Sequence, residues 1–241
     1  MTLEEIILHR RSVRIFDESF PFDHESVTRA LKLAILAPNS SNLQTWEFYR
    51  IRSKEKIKEL MPYGLNQNAF RTASELVLFV SRRDLWEKRS KWHLEDIKTQ
   101  LARGSKNEKR LKKGLRYYGR LIPFLYRNDF LGFYTLLRWL TMLYRDLTGK
   151  PMLRWITRTD TQLVSNKSLA LAAENFMLAM TDAGLDTCPL EGFDEKYVKK
   201  IIGLPRSAFI SMIIACGKGK PEGIYYERRR LDYHEVVFEL R

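Results

Sequence analysis

Residues 168–194 read SLALAAENFMLAMTDAGLDTCPLEGFD. Leu169, Ala172, Ala173, Phe176, Met177 and Met180 recur at helical spacing and form one broad apolar face, and Gly184 is a natural C-cap, so a helix runs from Ser168 to Gly184. Outward from it the chain alternates short helix and strand patterns. Trp46–Ile51 and Glu75–Ser81 read as strands, the second with Leu76, Val77, Leu78, Phe79 and Val80 unbroken, which implies burial on both faces; Phe209–Cys216 is a further buried strand. Near the amino terminus Thr2 and Glu5 make a capping box for a helix that ends at about His9. Asp23 caps a second helix, whose apolar Val27, Ala30, Leu31, Ala34 and Ile35 keep the helical period until Pro38 stops it.

The 241 residues suit one large globular domain or two small ones, and 44% hydrophobic with 12% aromatic content excludes wholesale disorder. The 42 Lys+Arg against 29 Asp+Glu leave a net charge of +13, a balance that suggests a polyanion: nucleic acid, an anionic membrane surface or a phosphorylated ligand. The charge is regional. Residues 86–160 hold 18 Lys+Arg and 7 Asp+Glu, a net of +11, which leaves +2 for everything else, and this block reads as a basic, aromatic-rich helical insertion into a nearly neutral core. Cys188 and Cys216 form neither a Cys-x-x-Cys motif nor a disulfide framework, so a reducing cytoplasm is expected. MTLEEIILHRRSVR lacks the features of a signal peptide, and Arg127, Asp129 and Arg138 break the apolar stretch 121–144 well short of a membrane span.

His9, His24, His93 and His234 have no metal-ligand spacing, no Gly-x-Ser-x-Gly elbow is present, and Gly217-Lys218-Gly219-Lys220 reads as a turn. What remains is a set of anion- and amide-binding features. Arg10, Arg11, Ser12 and Arg14 follow the first helix, and Arg228, Arg229 and Arg230 lie near the other end. Two such clusters would repel if they met, unless a dianion such as a phosphate monoester lay between them; taken singly, each is a solvated charged face. Pro38–Trp46 and Cys188–Asp194 are polar, Pro- and Gly-containing stretches that suit either heterocycle binding or plain connection.

Read together, RRSVRIFD, LAPNSSNLQTWEFYRI, NQNAFRTASELVLFV, the 168–194 segment, VKKIIGLPRSAFISMIIACG and the terminal basic cluster resemble, in that order, the FMN-dependent nitroreductase superfamily. The resemblance implies an α+β fold, with a central, mostly antiparallel sheet flanked by helices, in a homodimer that holds FMN at the subunit interface. It implies that Arg10 and Ser12, with neighbouring Arg11, hold the ribityl phosphate and Arg14 the N1–O2 edge of the ring. Pro38, Asn39, Ser40 and Asn42 match a turn that reaches flavin across the interface, and Asn66 matches an asparagine on the pyrimidine edge. The position three residues later, lysine in some members, is Ala69 here. Pro189, Leu190, Glu191 and Gly192 match the segment over the ring, with the Glu191 backbone N–H toward N5 and no side chain required as acid or base. Arg228 and Arg230 match the basic pair that closes on the phosphate, with Arg229 facing away, and YHEVVFEL at 233–240 matches a tail that embraces the partner. The activity implied is ping-pong hydride transfer from NAD(P)H to nitroaromatic, quinone or related planar acceptors; dehalogenation or dehydrogenation of a biosynthetic intermediate shares the same site.

For the insertion the resemblance suggests a lid in which Tyr117, Tyr118, Phe124, Tyr126, Phe130, Phe133, Tyr134, Trp139 and Tyr144 either stack on an acceptor or pack the lid down. The competing reading is weak contact with an anionic membrane; without a recognition motif, nucleic acid is not expected.

Overall fold

The computed structural model describes residues 1–128 and 131–240; Asp129 and Phe130 lie outside the described residues. Strands β1 (Trp46–Ile51), β2 (Glu75–Ser81), β3 (Asp186–Leu190) and β4 (Phe209–Gly217) form one sheet in the order β1-β2-β4-β3, with every neighbouring pair antiparallel. Helices α1 (Leu3–His9), α2 (His24–Ala34), α3 (Lys54–Leu60) and α4 (Asn68–Thr72) belong to the first part of the chain, and α5 (Trp86–Ala102), α6 (Glu108–Arg116), α7 (Ile122–Tyr126) and α8 (Phe133–Leu147) to the insertion. They are followed by α9 (Arg158–Asp182), α10 (Glu195–Ile202) and the short α11 (Tyr233–Val236).

Side-chain alternation along β2 divides the core in two. Leu76, Leu78 and Val80 pack with Leu60, Phe70 and Ile213 on one face, while Val77 and Phe79 meet Val27 and Ala30 of α2 and Leu169 and Phe176 of α9 on the other. All seven residues of β2 are buried, as its unbroken apolar run requires. Its first residue, Glu75, is held between Arg50 of β1 and His24 of α2. Both cysteines are free and buried, and burial raises both thiol pKa values, so neither is set up as a nucleophile.

The structure corrects two readings of the sequence. The long helix starts at Arg158 on a Thr157/Asp160 capping box, ten residues before the expected Ser168, because its first part buries mostly small and polar groups (Thr161, Ser165) that leave no apolar period. The 186–190 segment is an edge strand, β3, not a loop. Pro189 is tolerated because β3 has β4 on one side and only an isolated bridge, Ser12 to Thr187, on the other.

The insertion packs Trp86, Ile122, Leu125 and Tyr126 around Leu43 of the 38–46 stretch as a third small core, with Tyr118, Phe124 and Trp155 against it. A π-helical turn, Tyr117–Leu121, joins α6 to α7. Among the described residues, no helix is long and apolar enough to cross a membrane.

Candidate functional site

The chain leaving α1 is threaded between the outer edge of β3 and the turn after β4. Val13 N–H donates to Thr187 O at 3.1 Å, Arg14 N–H to Gly223 O at 2.9 Å, and Phe16 bridges Gly219. Glycines permit this close approach: a Cβ on Gly217 would stand 2.7 Å from the Phe16 ring, and one on Gly223 would stand 2.7 Å from Ile15 O and 2.8 Å from Ile15 N. Gly223→Ala is therefore expected to force the backbone apart and cost about 1–3 kcal/mol, lowering the melting temperature by several degrees. Gly192→Ala, whose Cβ would meet nothing nearer than 3.6 Å, should leave it unchanged; differential scanning fluorimetry distinguishes the two.

Beyond Gly223 the chain folds back over residues 10–14. Arg11 Nη2 donates to Tyr226 O at 2.5 Å, and the Arg228 guanidinium donates to Arg10 O and, at 3.3 Å, to Ile7 O, where the carbonyl end of α1 favours a cation. The two arginine clusters thus meet around one cavity of about 210 Å³, lined by Arg10, Arg11, Ser12, Arg14 and residues 224–230. Burial, and then the charges of Arg11, Arg230 and Arg10, draw the Arg228 pKa below its ordinary value. Among the described residues that line the cavity, Glu227 is the one acidic residue against six arginines, and Glu174, outside the lining, is 3.7 Å from Arg10 Nε. An unbalanced cationic pocket of this kind fits a phosphate dianion.

Arg14 and Tyr225 also line a second cavity, of about 360 Å³, with Asn66, Gln67, Asn68 and Ala69, so the two form one trough. Arg14 lies over the Tyr225 ring at 5.2 Å, and Asn68 Nδ2 donates to the Tyr225 hydroxyl at 3.1 Å. Gln67 Nε2 donates to Gly192 O at 2.7 Å, which brings the 189–192 segment beside the Asn66 loop. Within that segment Leu190 is buried, Pro189 is half-buried, and Glu191 and Gly192 are exposed. Leu65 and Asn66 hold φ of +55° and +52°, a strained conformation for residues with a Cβ.

Pro38, Asn39 and Ser40 lie elsewhere, on a cavity of about 320 Å³ shared with Trp155, Lys167 and Leu171; one chain alone does not bring them to the arginines. Their loop is also strained, with Ser41, Asn42 and Gln44 at φ +57°, +47° and +47°. The insertion holds it there. His93 Nε2 donates to Asn42 O at 2.7 Å, Tyr118 OH donates to Ser41 O at 3.0 Å, and the Tyr117 and Ser41 hydroxyls are 2.7 Å apart. His93 stacks on Tyr118 with ring centroids 4.3 Å apart. Among the described residues, none of 86–160 lines either cavity of the trough.

Arg229 does not face away as expected: it lines the same cavity as Arg228 and Arg230, because residues 224–230 form no strand and their side chains do not alternate. Tyr225, Tyr226 and Gln67 were missed as well. The tyrosines stand one residue before the arginine run in YYERRR, which is a usable signal; the contact between Gln67 and Gly192 spans 125 residues and is not legible.

Fold and site together define an α+β protein with a cationic trough closed by its own carboxyl-terminal segment. Residues 7–218 match the Nitroreductase family, and the chain belongs to that family of oxidoreductases. It is 29% identical to protein DrgA of Synechocystis over 89% of this chain and 82% of that one, and 27% identical to the putative NAD(P)H nitroreductase MhqN of Bacillus subtilis over 98% and 95%. Among solved structures, a putative nitroreductase in complex with FMN from Exiguobacterium sibiricum superposes with a TM-score of 0.69 at 21% identity, covering 100% of this chain and 98% of that one.

Proposed function

We propose that the protein is an FMN-dependent oxidoreductase that takes hydride from NAD(P)H and passes it, in a ping-pong cycle, to nitroaromatic, quinone or related planar acceptors. The observation that carries this reading is the meeting of the arginine clusters from the two ends of the chain, continuous through Arg14 and Tyr225 with the Asn66 cavity. When bound, FMN supplies the hydride-accepting and hydride-donating centre. Arg10, Arg11, Ser12, Arg228 and Arg230 hold its phosphate, and Arg229 adds to the same charge. Arg14 stands at the ring end of the trough, where a fixed cation stabilises negative charge on the N1–O2 edge. Asn66 meets the pyrimidine edge, and Pro189, Leu190, Glu191 and Gly192 flank the ring, with the Glu191 N–H toward N5. Pro38, Asn39, Ser40 and Asn42 complete the site of a partner copy in a homodimer, which accounts for their distance from the arginines of their own chain. No side chain acts as an essential acid or base.

The purified protein is expected to be yellow, to carry FMN near one per subunit, and to bleach anaerobically with NADH or NADPH. A colourless protein that cannot be loaded with FMN would refute the assignment. An anaerobic stopped-flow screen of acceptors against the reduced protein then separates nitroaromatic and quinone reduction from dehalogenation.

A further inference from the structure

Helix α8 carries its polarity inside out. Phe133, Leu136, Leu140, Leu143, Tyr144 and Leu147 fall within an arc of about 100° on the helical wheel, and all six are exposed, from 41% at Leu143 to 80% at Leu147. Trp139, 46% exposed, borders the stripe. The side turned toward the protein is polar. There Arg138 is fully buried and donates to the carbonyls of Phe124, Leu125, Arg127 and Ile156 at 2.7–3.0 Å, fastening α8 to the end of α7 and to the chain before α9. A surface helix ordinarily points its apolar stripe inward, and a contiguous exposed stripe of this size marks a surface that meets something apolar.

Charge decides what that is. The insertion holds +11 of the +13 total, and α6 with the following turn exposes Lys109, Arg110, Lys112, Lys113, Arg116 and Arg120. α6 packs on that turn, the turn on α7, and α7 on α8, so the cationic and apolar surfaces belong to one continuous helical unit. Two copies joined through α8 would set one +11 segment against another, which like charge opposes. An anionic bilayer satisfies both features, since it offers hydrocarbon to leucine and aromatic side chains and acidic headgroups to the flanking lysines and arginines.

We propose that α8 lies in the headgroup region of an anionic membrane, apolar stripe down, with α6 contributing electrostatic attraction. This surface is separate from the trough that takes the cofactor, so the inference does not depend on the flavin reading, and protein with and without FMN should bind alike.

The test is co-sedimentation of the full-length protein with vesicles of phosphatidylcholine alone or of phosphatidylcholine mixed with phosphatidylglycerol. Binding to the mixed vesicles is expected, accompanied by a blue shift in tryptophan fluorescence and lost at high salt. Leu136→Glu/Leu140→Glu changes two exposed side chains and should reduce partitioning by at least about tenfold while leaving the melting temperature intact; Lys112→Glu/Lys113→Glu should weaken binding by a smaller factor. No sedimentation of the wild type with anionic vesicles at low salt overturns the proposal, as does equal binding to neutral vesicles or unchanged binding by the leucine variant. Analytical ultracentrifugation closes the remaining route: if Leu136→Glu/Leu140→Glu dissociates an assembly that the wild type forms, the stripe is an interface between copies and the membrane assignment fails.

Discussion

Replacing Glu75 with alanine is expected to destabilise the fold by about 3–5 kcal/mol, the range for removing one partner of a buried ion pair. That would lower the melting temperature by roughly 10 °C in a chain of this size. Glu75 is fully buried, and its carboxylate accepts from Arg50 Nε at 2.5 Å and Arg50 Nη2 at 3.0 Å, with His24 Nδ1 at 2.6 Å. Arg50 also donates to Thr28 Oγ1 at 2.8 Å and to His24 O at 2.7 Å, so a single carboxylate ties β1, β2 and α2 together. Truncation leaves the guanidinium, only 19% exposed, without its counter-charge. Glu75→Gln keeps the shape and one acceptor and should lose less. Thermal denaturation followed by circular dichroism checks both, and an alanine variant within about 1 kcal/mol of the wild type would show that the cluster adds nothing to stability.

The sequence announced features whose physics is local. The Thr2–Glu5 capping box, the Asp23 cap and the unbroken apolar run of β2 form as read, because each depends on neighbouring residues. β3 was invisible because DTCPL has neither alternation nor an apolar run; it is a strand only because β4 is there to pair with it. The early start of α9 is hidden for a similar reason, since Thr161 is a polar residue that is buried and whose hydroxyl accepts from Arg83, 78 residues away. At the site, each arginine cluster taken singly reads as a solvated face, and only the family resemblance joins the two around a phosphate; the structure brings both to one cavity. The hold of His93 and Tyr118 on the 41–42 carbonyls was not legible, because a histidine in a basic helix looks like any solvated polar residue until its ring is seen stacked and buried.

Arg10→Ala is expected to weaken FMN binding by about thirtyfold or more, the equivalent of roughly 2 kcal/mol for the loss of a charge-assisted contact to phosphate. Arg10 lines the arginine-rich end of the trough, and its ion-pair partner among the described residues is the half-exposed Glu174 at 3.7 Å, so truncation removes charge from the cavity without orphaning a buried carboxylate. The melting temperature of the FMN-free protein should therefore stay unchanged, while the stabilisation conferred by added FMN shrinks in step with affinity. Arg10→Lys should recover only part of the loss, since an ammonium keeps the charge but not the two-pronged geometry. Glu174→Gln works in the opposite direction: with one fewer anion competing for Arg10, FMN should bind as tightly as in the wild type or more so. Arg228→Ala should cost more than Arg10→Ala, because Arg228 also pins residues 224–230 to the carbonyl end of α1 through Ile7 O and Arg10 O. Quenching of FMN fluorescence on titration with apoprotein measures all four variants. Unchanged affinity in Arg10→Ala would place the phosphate elsewhere, whereas equal losses in Arg10→Ala and Arg228→Ala would show that the carboxyl-terminal segment stays in place without its anchor.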